Sequence, residues 1–141
     1  MSDLKPENVV ERLKGHPGSL AEALRVEDFA EPGKLAEGLV KQYKDDLKAA
    51  QLRRFFHTIK NIERRMRGRS EDAPLTGEDR EDVLRLLPEL AYARGRNLIP
   101  GNFYELMKTC LGSEKLKTVK DFRRLAAFLT AILAYHKLYS K

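Results

Sequence analysis

Residues 118–139, TVKDFRRLAAFLTAILAYHKLY, carry the strongest structural signal in the sequence. Apolar residues recur at the three- and four-residue spacing of an α-helix, after a Thr118–Asp121 pair that resembles a capping box. The predicted inward face consists of Phe122, Leu125, Ala126, Leu129, Ile132 and Leu133. Phe128, Ala131 and Ala134 add apolar side chains elsewhere on the helix, which is therefore apolar almost all round. Such a helix is typical of the centre of a bundle or of an interface.

The segments before this helix also show helical spacing, and none shows the alternation of a β-strand. We predict helices from about 34 to 44, 49 to 67, 77 to 95 and 100 to 112. Thr76 and Asp79 resemble a second capping box, and Pro100 suits a helix start. Pro88 lies inside the third of these helices, where we expect it to kink or divide the helix. The chain is predicted to be all-α, a compact bundle of about five helices.

The first thirty residues show weaker helical patterns. Short helical pieces around 6–14 and 19–24 are broken by Gly15, Pro17 and Gly18. The total length of 141 residues suits one domain. We therefore predict a weakly structured N-terminal segment over residues 1–30 and a helical-bundle domain over residues 31–141.

Catalytic and metal-binding motifs are missing from the sequence. Cys110 is the only cysteine, and His16, His57 and His136 are scattered along the chain. No signal peptide is recognisable, and no stretch approaches the roughly 20 apolar residues of a membrane-spanning helix. We expect a cytoplasmic protein with no membrane association, no catalytic residue, no metal and no cofactor.

Positive charge is concentrated in two parts of the chain, although the net charge is only +6. Residues 49–69 contain seven Lys or Arg and one acid, and residues 92–141 contain ten Lys or Arg and three acids. Residues 70–91 have seven acids and two arginines. Such clustering favours a polyanionic partner, with the acidic stretch facing other protein subunits or keeping nucleic acid from that side.

The predicted helix over residues 49–67 has a basic face. Five side chains at spacings of four, three, four and three lie on this face: Arg53, His57, Lys60, Arg64 and Arg67. Arg54 and Arg65 lie on the opposite flank of the apolar stripe, and Glu63 is the only acid. The missing counter-charges suggest an external polyanion. Alternatively, the row is a solvated face paired with acids such as Glu81 and Asp82.

A second basic element is the Arg94-Gly95-Arg96 sequence at a predicted helix end. Glycine allows close approach of the backbone to a ligand, and arginine can donate two hydrogen bonds to a phosphate. The alternative is a helix C-cap at Gly95, with arginines that the helix dipole favours.

Three segments, in order, resemble the small subunit of the type III-A CRISPR–Cas effector complex, the Csm complex. Residues 51–56, QLRRFF, are similar to the family's Q-I-R-K-F-Y helix start. Residues 86–96, LLPELAYARGR, are similar to its L-x-P-x-L-A-Y-x-x-G-R segment, and residues 120–137 to its closing K-D-F-x-R-F and A-I-x-A-Y-H-K segments. The chain departs from the pattern at Ala49-Ala50, where the family often has Thr or Ser, and at Phe56, where it has Tyr.

The resemblance implies a non-catalytic subunit that stacks in several copies and lines the channel of guide and target RNA. Its partners would be CRISPR RNA and target RNA, through backbone contacts, other subunits of the complex, and copies of itself. The expected RNA-binding residues are Arg53, Arg54, His57, Lys60, Arg64, Arg67, Arg94 and Arg96.

Two alternatives stay open. One is a stand-alone helical nucleic-acid-binding regulatory protein, which would need base-reading side chains, and Asn61 is the only one among these arginines. The other is a small nuclease, which would need a carboxylate or histidine cluster.

Overall fold

A computed structural model describes residues 4–140, which form eight α-helices and no β-strand. In chain order these are α1 (Val9–Gly15), α2 (Leu20–Ala23), α3 (Val26–Phe29), α4 (Leu35–Tyr43), α5 (Ala49–Arg65), α6 (Gly77–Gly95), α7 (Gly101–Leu111) and α8 (Val119–Tyr139). A short 3₁₀ turn, Lys44–Asp46, follows α4. The prediction of an all-α bundle is confirmed, with three short N-terminal helices in addition to the five expected.

The last helix, α8, is the centre of the bundle. It packs against α4 and α5, and also against α2 and α3. Five of its six predicted inward residues are buried, and Leu133 is half-buried. Phe128 is also buried, with its ring centroid 5.1 Å from that of Phe29 in α3. The apolar character of α8 on several sides is explained by neighbours on several sides.

Both predicted capping boxes are present. The Thr76 hydroxyl accepts from the Asp79 N–H at 3.1 Å, and the Asp79 carboxylate accepts from the Thr76 N–H at 2.9 Å. Thr118 and Asp121 form the same reciprocal pair at the start of α8. Each box satisfies backbone donors that have no partner inside the helix.

The expected division of α6 at Pro88 does not occur, because the helix continues from Gly77 to Gly95. Pro88 and Leu84 both lie on the exposed side of α6. Because proline has no N–H, the Leu84 carbonyl has no hydrogen-bond donor from the helix. Water can reach that carbonyl, so the helix tolerates the missing hydrogen bond.

The N-terminal segment contains α1 and α2 where the sequence predicts short helical pieces, around 6–14 and 19–24, and α3 in addition. Helices α1 to α3 have seven, four and four residues. Their apolar side chains, and that of Leu24, are part of the same core as those of the later helices: Val9, Leu13, Leu20, Leu24 and Phe29. Tertiary contacts support helices this short, since α2 and α3 pack on α8. The domain boundary at residue 30 stays a prediction.

Helices α5 and α6 run antiparallel. The Lys48 N–H, at the start of α5, donates to the Leu98 carbonyl just after α6, at 3.1 Å. At the other end, Arg65 of α5 pairs with Asp82 of α6 at 2.5 Å. The Arg94–Arg96 turn therefore lies at the end of the hairpin where α5 begins.

Candidate nucleic-acid interface

Helix α5 separates an apolar face from a basic face. Leu52, Phe55, Ile59 and Ile62 are buried in the core. On the surface lie five of the predicted side chains, all exposed: Arg53, Arg54, His57, Arg64 and Arg67. Lys60 is half-buried between them. Arg53 and Arg64 are eleven positions apart, so at 1.5 Å per residue the helical part of the basic face is about 17 Å long. Arg67 lies in the turn after α5.

Several arginines of α5 and of the turn after it have no acidic partner. Within residues 4–140, Arg53, Arg54 and Arg67 make no side-chain hydrogen bond or ion pair. Over the same range, the Arg64 guanidinium donates only to the neutral Asn61 amide oxygen, at 3.0 Å. Lys60 pairs with Glu63 of the same helix at 2.8 Å. The exposed His57 ring lies beside Phe56, with 5.5 Å between ring centroids.

The acids of the 70–91 segment pair with other arginines. Arg65 contacts Asp82 at 2.5 Å, and Arg69 contacts Asp79 at 2.6 Å. Asp82 also accepts from Arg85 at 3.1 Å. The solvated-face alternative therefore describes Arg65, whereas Arg54 on the same flank has no ion pair within residues 4–140. The predicted face has its own acid, Glu63, and no acid from α6 among the described ion pairs.

The pKa of Asp79 reflects its contacts with Thr76 and Arg69. Burial raises the pKa of the carboxyl, but the N–H and hydroxyl of Thr76 and the guanidinium of Arg69 outweigh burial and hold it below its ordinary value. Asp79 therefore stays ionised as the counter-ion of Arg69.

A second helix contributes a cation that the sequence analysis missed. Arg123 of α8 lines a shallow groove together with Lys60, Arg64 and Arg67. Among the residues that the structure describes, Glu63 is the only acid in its wall. Arg123 has one acidic contact, Glu71 at 3.6 Å, and that glutamate is itself exposed. In the sequence, the basic C-terminal third of the chain was the only indication that α8 could contribute a cation. The fold is needed to show that Arg123 is the one that reaches α5.

The two arginines after α6 have partners of their own. Arg94 donates to the Asn97 amide oxygen and to the Ile99 carbonyl, both at 3.4 Å. Arg96 donates to the Tyr92 hydroxyl at 3.0 Å and lies over its ring. Gly95 is the last residue of α6, and the left-handed conformation belongs to Asn97, with φ of 60°. Arg94 thus holds the turn, whereas both guanidinium groups stay on the surface.

Among residues 4–140, no group of three or more His, Cys, Asp or Glu side chains is placed to hold a metal ion. Over the same range, none of the helices combines the length and apolarity needed to cross a membrane.

Comparison with known proteins identifies one family. The model of the Csm2 Type III-A family matches residues 27–141, which extends the resemblance back to α3. No curated protein and no solved structure matches the chain. Because the family match covers most of the chain, from the start of α3 through the central helix and the basic face of α5, the protein belongs to the Csm2 Type III-A family, the small subunit of the type III-A Csm complex.

Proposed function

We propose that this small subunit is non-catalytic and holds the guide and target RNA by their backbone, through the basic face of α5 and the Arg94–Arg96 turn. It works in the cytoplasm, beside other subunits of the complex and further copies of itself. The observation that carries the proposal is a contrast among the arginines of α5 and of the turn after it. Arg65 has an acidic partner, whereas Arg53, Arg54 and Arg67 have none within residues 4–140.

Unpaired arginines suit phosphate binding for a physical reason. A guanidinium with no protein partner need not break an ion pair before it donates to phosphate oxygens. Contacts to phosphate carry no sequence information, which suits a subunit that must accept any guide because base pairing already selects the target.

Salt dependence tests this proposal on the isolated chain. Each phosphate contact to a single strand contributes about −0.7 to the log–log slope of affinity against salt, so three to five contacts predict a slope of about −2 to −3.5. The variant R53A/R54A/R67A should lose RNA affinity, and its slope should become shallower by about 2.

The matched control is K14A/K34A/K137A, which removes the same charge from exposed lysines outside the basic face. It should bind nearly as the parent does. If both triple variants lost RNA affinity to the same extent, the loss would be explained by net charge alone, and this would contradict a dedicated RNA-binding face. Co-purification of the parent with a CRISPR RNA-loaded complex separates the proposal from a stand-alone regulator or a nuclease.

A further inference from the structure

A cleft lies at the end of the bundle where α8 ends and α5 begins. It has a volume of about 1020 Å³, and its walls come from α4, the 3₁₀ turn, the start of α5 and the end of α8. Among its apolar lining residues, Val40 and Leu47 are buried, whereas Tyr139 is 48% exposed. We call this feature the end cleft. It has an apolar floor and is open to solvent.

The rim of the end cleft is basic. Lys41, Lys44 and Lys48 line it and are all exposed. Among the residues that the structure describes, Asp45 is the only acid in its wall. Lys44 and Lys48 make no side-chain hydrogen bond or ion pair within residues 4–140. The first turn of α5 contains no acidic residue, so the partial positive charge of its N–H groups adds to that of the lysines.

Contacts between elements fix the walls of the end cleft. The His136 ring is buried, and its Nε2 donates to the Leu47 carbonyl at 2.7 Å. The Tyr139 hydroxyl donates to the Glu37 carboxylate at 2.6 Å, and the Lys41 ammonium lies 5.8 Å from the centre of the Tyr139 ring. These contacts join α8 to α4 and to the segment before α5, so the cleft is already formed in the single chain.

Lys44 has a backbone conformation that favours glycine. Its φ is 50°, in the region that residues with a Cβ rarely adopt. Residues held in such conformations are concentrated at functional sites, where the side chain is needed despite the strain. A lysine at this position therefore indicates that its ammonium group is used, because glycine would fit the backbone better.

The end cleft and the proposed RNA groove lie on different sides of α8. Arg123 lines the groove, and Tyr139, sixteen positions later, lines the cleft. At 3.6 residues per turn, the two side chains leave the helix about 160° apart. An RNA backbone held by Arg123 therefore runs along the other side of α8 from the end cleft. Phosphates also gain nothing from an apolar floor, whereas a protein segment can bury an apolar side chain there.

We propose that the end cleft binds an acidic, amphipathic segment of another subunit of the effector complex. One apolar side chain of that segment packs on the floor, where its burial supplies affinity. Its carboxylates pair with Lys44 and Lys48, which fixes the orientation of the segment and selects an acidic partner. The end cleft takes no part in RNA binding, so this proposal does not depend on the RNA contacts of α5.

Photo-crosslinking in the assembled complex tests the occupant. The substitution Tyr139→p-benzoylphenylalanine keeps an aromatic ring in the wall of the cleft and leaves the three lysines in place. The purified complex is irradiated, and mass spectrometry identifies the linked segment. We expect a segment of another subunit that carries acidic residues next to an apolar one. The matched control is Tyr92→p-benzoylphenylalanine, at an exposed tyrosine of α6 outside the cleft, which should not link to that segment.

Competitive assembly tests the lysines. Equal amounts of the parent and of K44E/K48E, with different tags, compete for the other subunits. The variant should be taken up about fivefold less, because like charges then meet in the cleft. K14E/K34E makes the same change of charge at exposed lysines outside the cleft and should be taken up nearly as the parent is. Circular dichroism checks that both double variants are folded.

Lys44→Gly separates the side chain from the fold. Glycine adopts a positive φ without strain, so this variant should unfold at the temperature of the parent or above. It should nevertheless be taken up about threefold less, because one of the two unpaired ammonium groups is lost. A lysine with only a structural role would behave differently, since its replacement would lower stability together with uptake.

A link from the cleft to RNA or to a second copy would overturn the proposal, as would a linked segment without acidic residues or the absence of any link. Equal uptake of K44E/K48E and K14E/K34E would likewise overturn it. RNA binding is a separate measurement, in which both double variants should lose affinity to the same extent because neither pair lies on the basic face. A failure of R53A/R54A/R67A to lose RNA affinity would count only against the proposed function.

Discussion

The guanidinium of Arg124 donates a hydrogen bond to the carbonyl oxygen of Leu24 over 2.8 Å. This contact joins α8 to the end of α2, one hundred residues earlier in the chain. The same guanidinium nitrogen donates to the Ala21 carbonyl, and the Ala21 N–H donates to the Asp121 carboxylate at 2.9 Å. The helix α2 has only four residues, so most of its backbone N–H and carbonyl groups have no partner inside the helix. Side chains of α8 provide hydrogen-bond partners for some of these groups.

Arg124→Ala should therefore destabilise the protein by about 1–3 kcal/mol, because two partly buried carbonyls lose their donor. Urea denaturation measures the change. Arg123→Ala is the matched control, since the neighbouring guanidinium has only a long contact with the exposed Glu71 and should contribute less than about 0.5 kcal/mol. Equal stability of the two variants would show that the contact to α2 does not hold the segment.

The core of α8 gives a larger effect. Phe122 and Leu129 are fully buried, so Phe122→Ala or Leu129→Ala should each lower the free energy of unfolding by about 2–5 kcal/mol. Leu138→Ala, at a position that is 67% exposed on the same helix, should leave it nearly unchanged. Thermal denaturation measures the difference. Equal stability of the buried-site variants and Leu138→Ala would contradict the central position of α8 in the core.

Asp121 should make stability sensitive to acid. Burial raises the pKa of its carboxyl, but hydrogen bonds from the N–H groups of Ala21, Lys117 and Thr118, and from the Ser19 hydroxyl, outweigh burial and hold the pKa below the ordinary value of 3.8. The stability that this carboxylate contributes is therefore present above pH 3.8 and is lost as the pH falls through the lower, folded-state pKa.

Asp121→Asn should consequently be less stable than the parent at pH 7, and the difference should shrink as the pH falls below about 4. Urea denaturation at several pH values measures it. A difference that stays constant from pH 7 to pH 3 would mean that the charge of Asp121 is not what stabilises the fold.

The features that the sequence predicted are local ones. Capping boxes and apolar periodicity involve residues within about one or two turns, and they correctly placed the start of α8 and its inward face. The order of the N-terminal segment depends instead on partners about a hundred residues away. Lys115, for example, is buried and donates to the carbonyls of His16 and Gly18. A basic residue in a charged segment gave no sign of this role.

In the candidate interface, too, the local features could be predicted from the sequence and the long-range contacts could not. The spacing of Arg53 and Arg64 put them on one face of a helix, and the structure places both on the surface of α5. Which arginines have acidic partners depends on how α6 packs, and which cation of α8 reaches the groove depends on the crossing of α5 and α8. Neither could be read from spacing along the chain.

Arg123 should contribute to RNA binding although it contributes little to stability. Its groove also contains Lys60, Arg64 and Arg67, so a phosphate there would be contacted from two helices. We expect Arg123→Ala to weaken RNA binding several-fold and to make the salt slope shallower by about 0.7. Fluorescence anisotropy at several salt concentrations measures both. Lys137→Ala removes the same charge from the far end of α8 and is the control, and equal effects of the two would exclude a specific role for the groove.

The remaining prediction concerns the assembled complex, where RNA capture and assembly can be separated. Replacing Arg53, Arg54 and Arg67 by Ala removes exposed side chains that make no hydrogen bond or ion pair within residues 4–140, so the free energy of unfolding should change by less than about 0.5 kcal/mol. The variant should join the complex, yet target RNA should dissociate faster because phosphate contacts are lost. RNA cleavage at saturating target should survive, since the proposed role of the face is binding alone. Failure to assemble with an intact fold would instead make the face a protein interface, and normal target capture would make it a solvated surface.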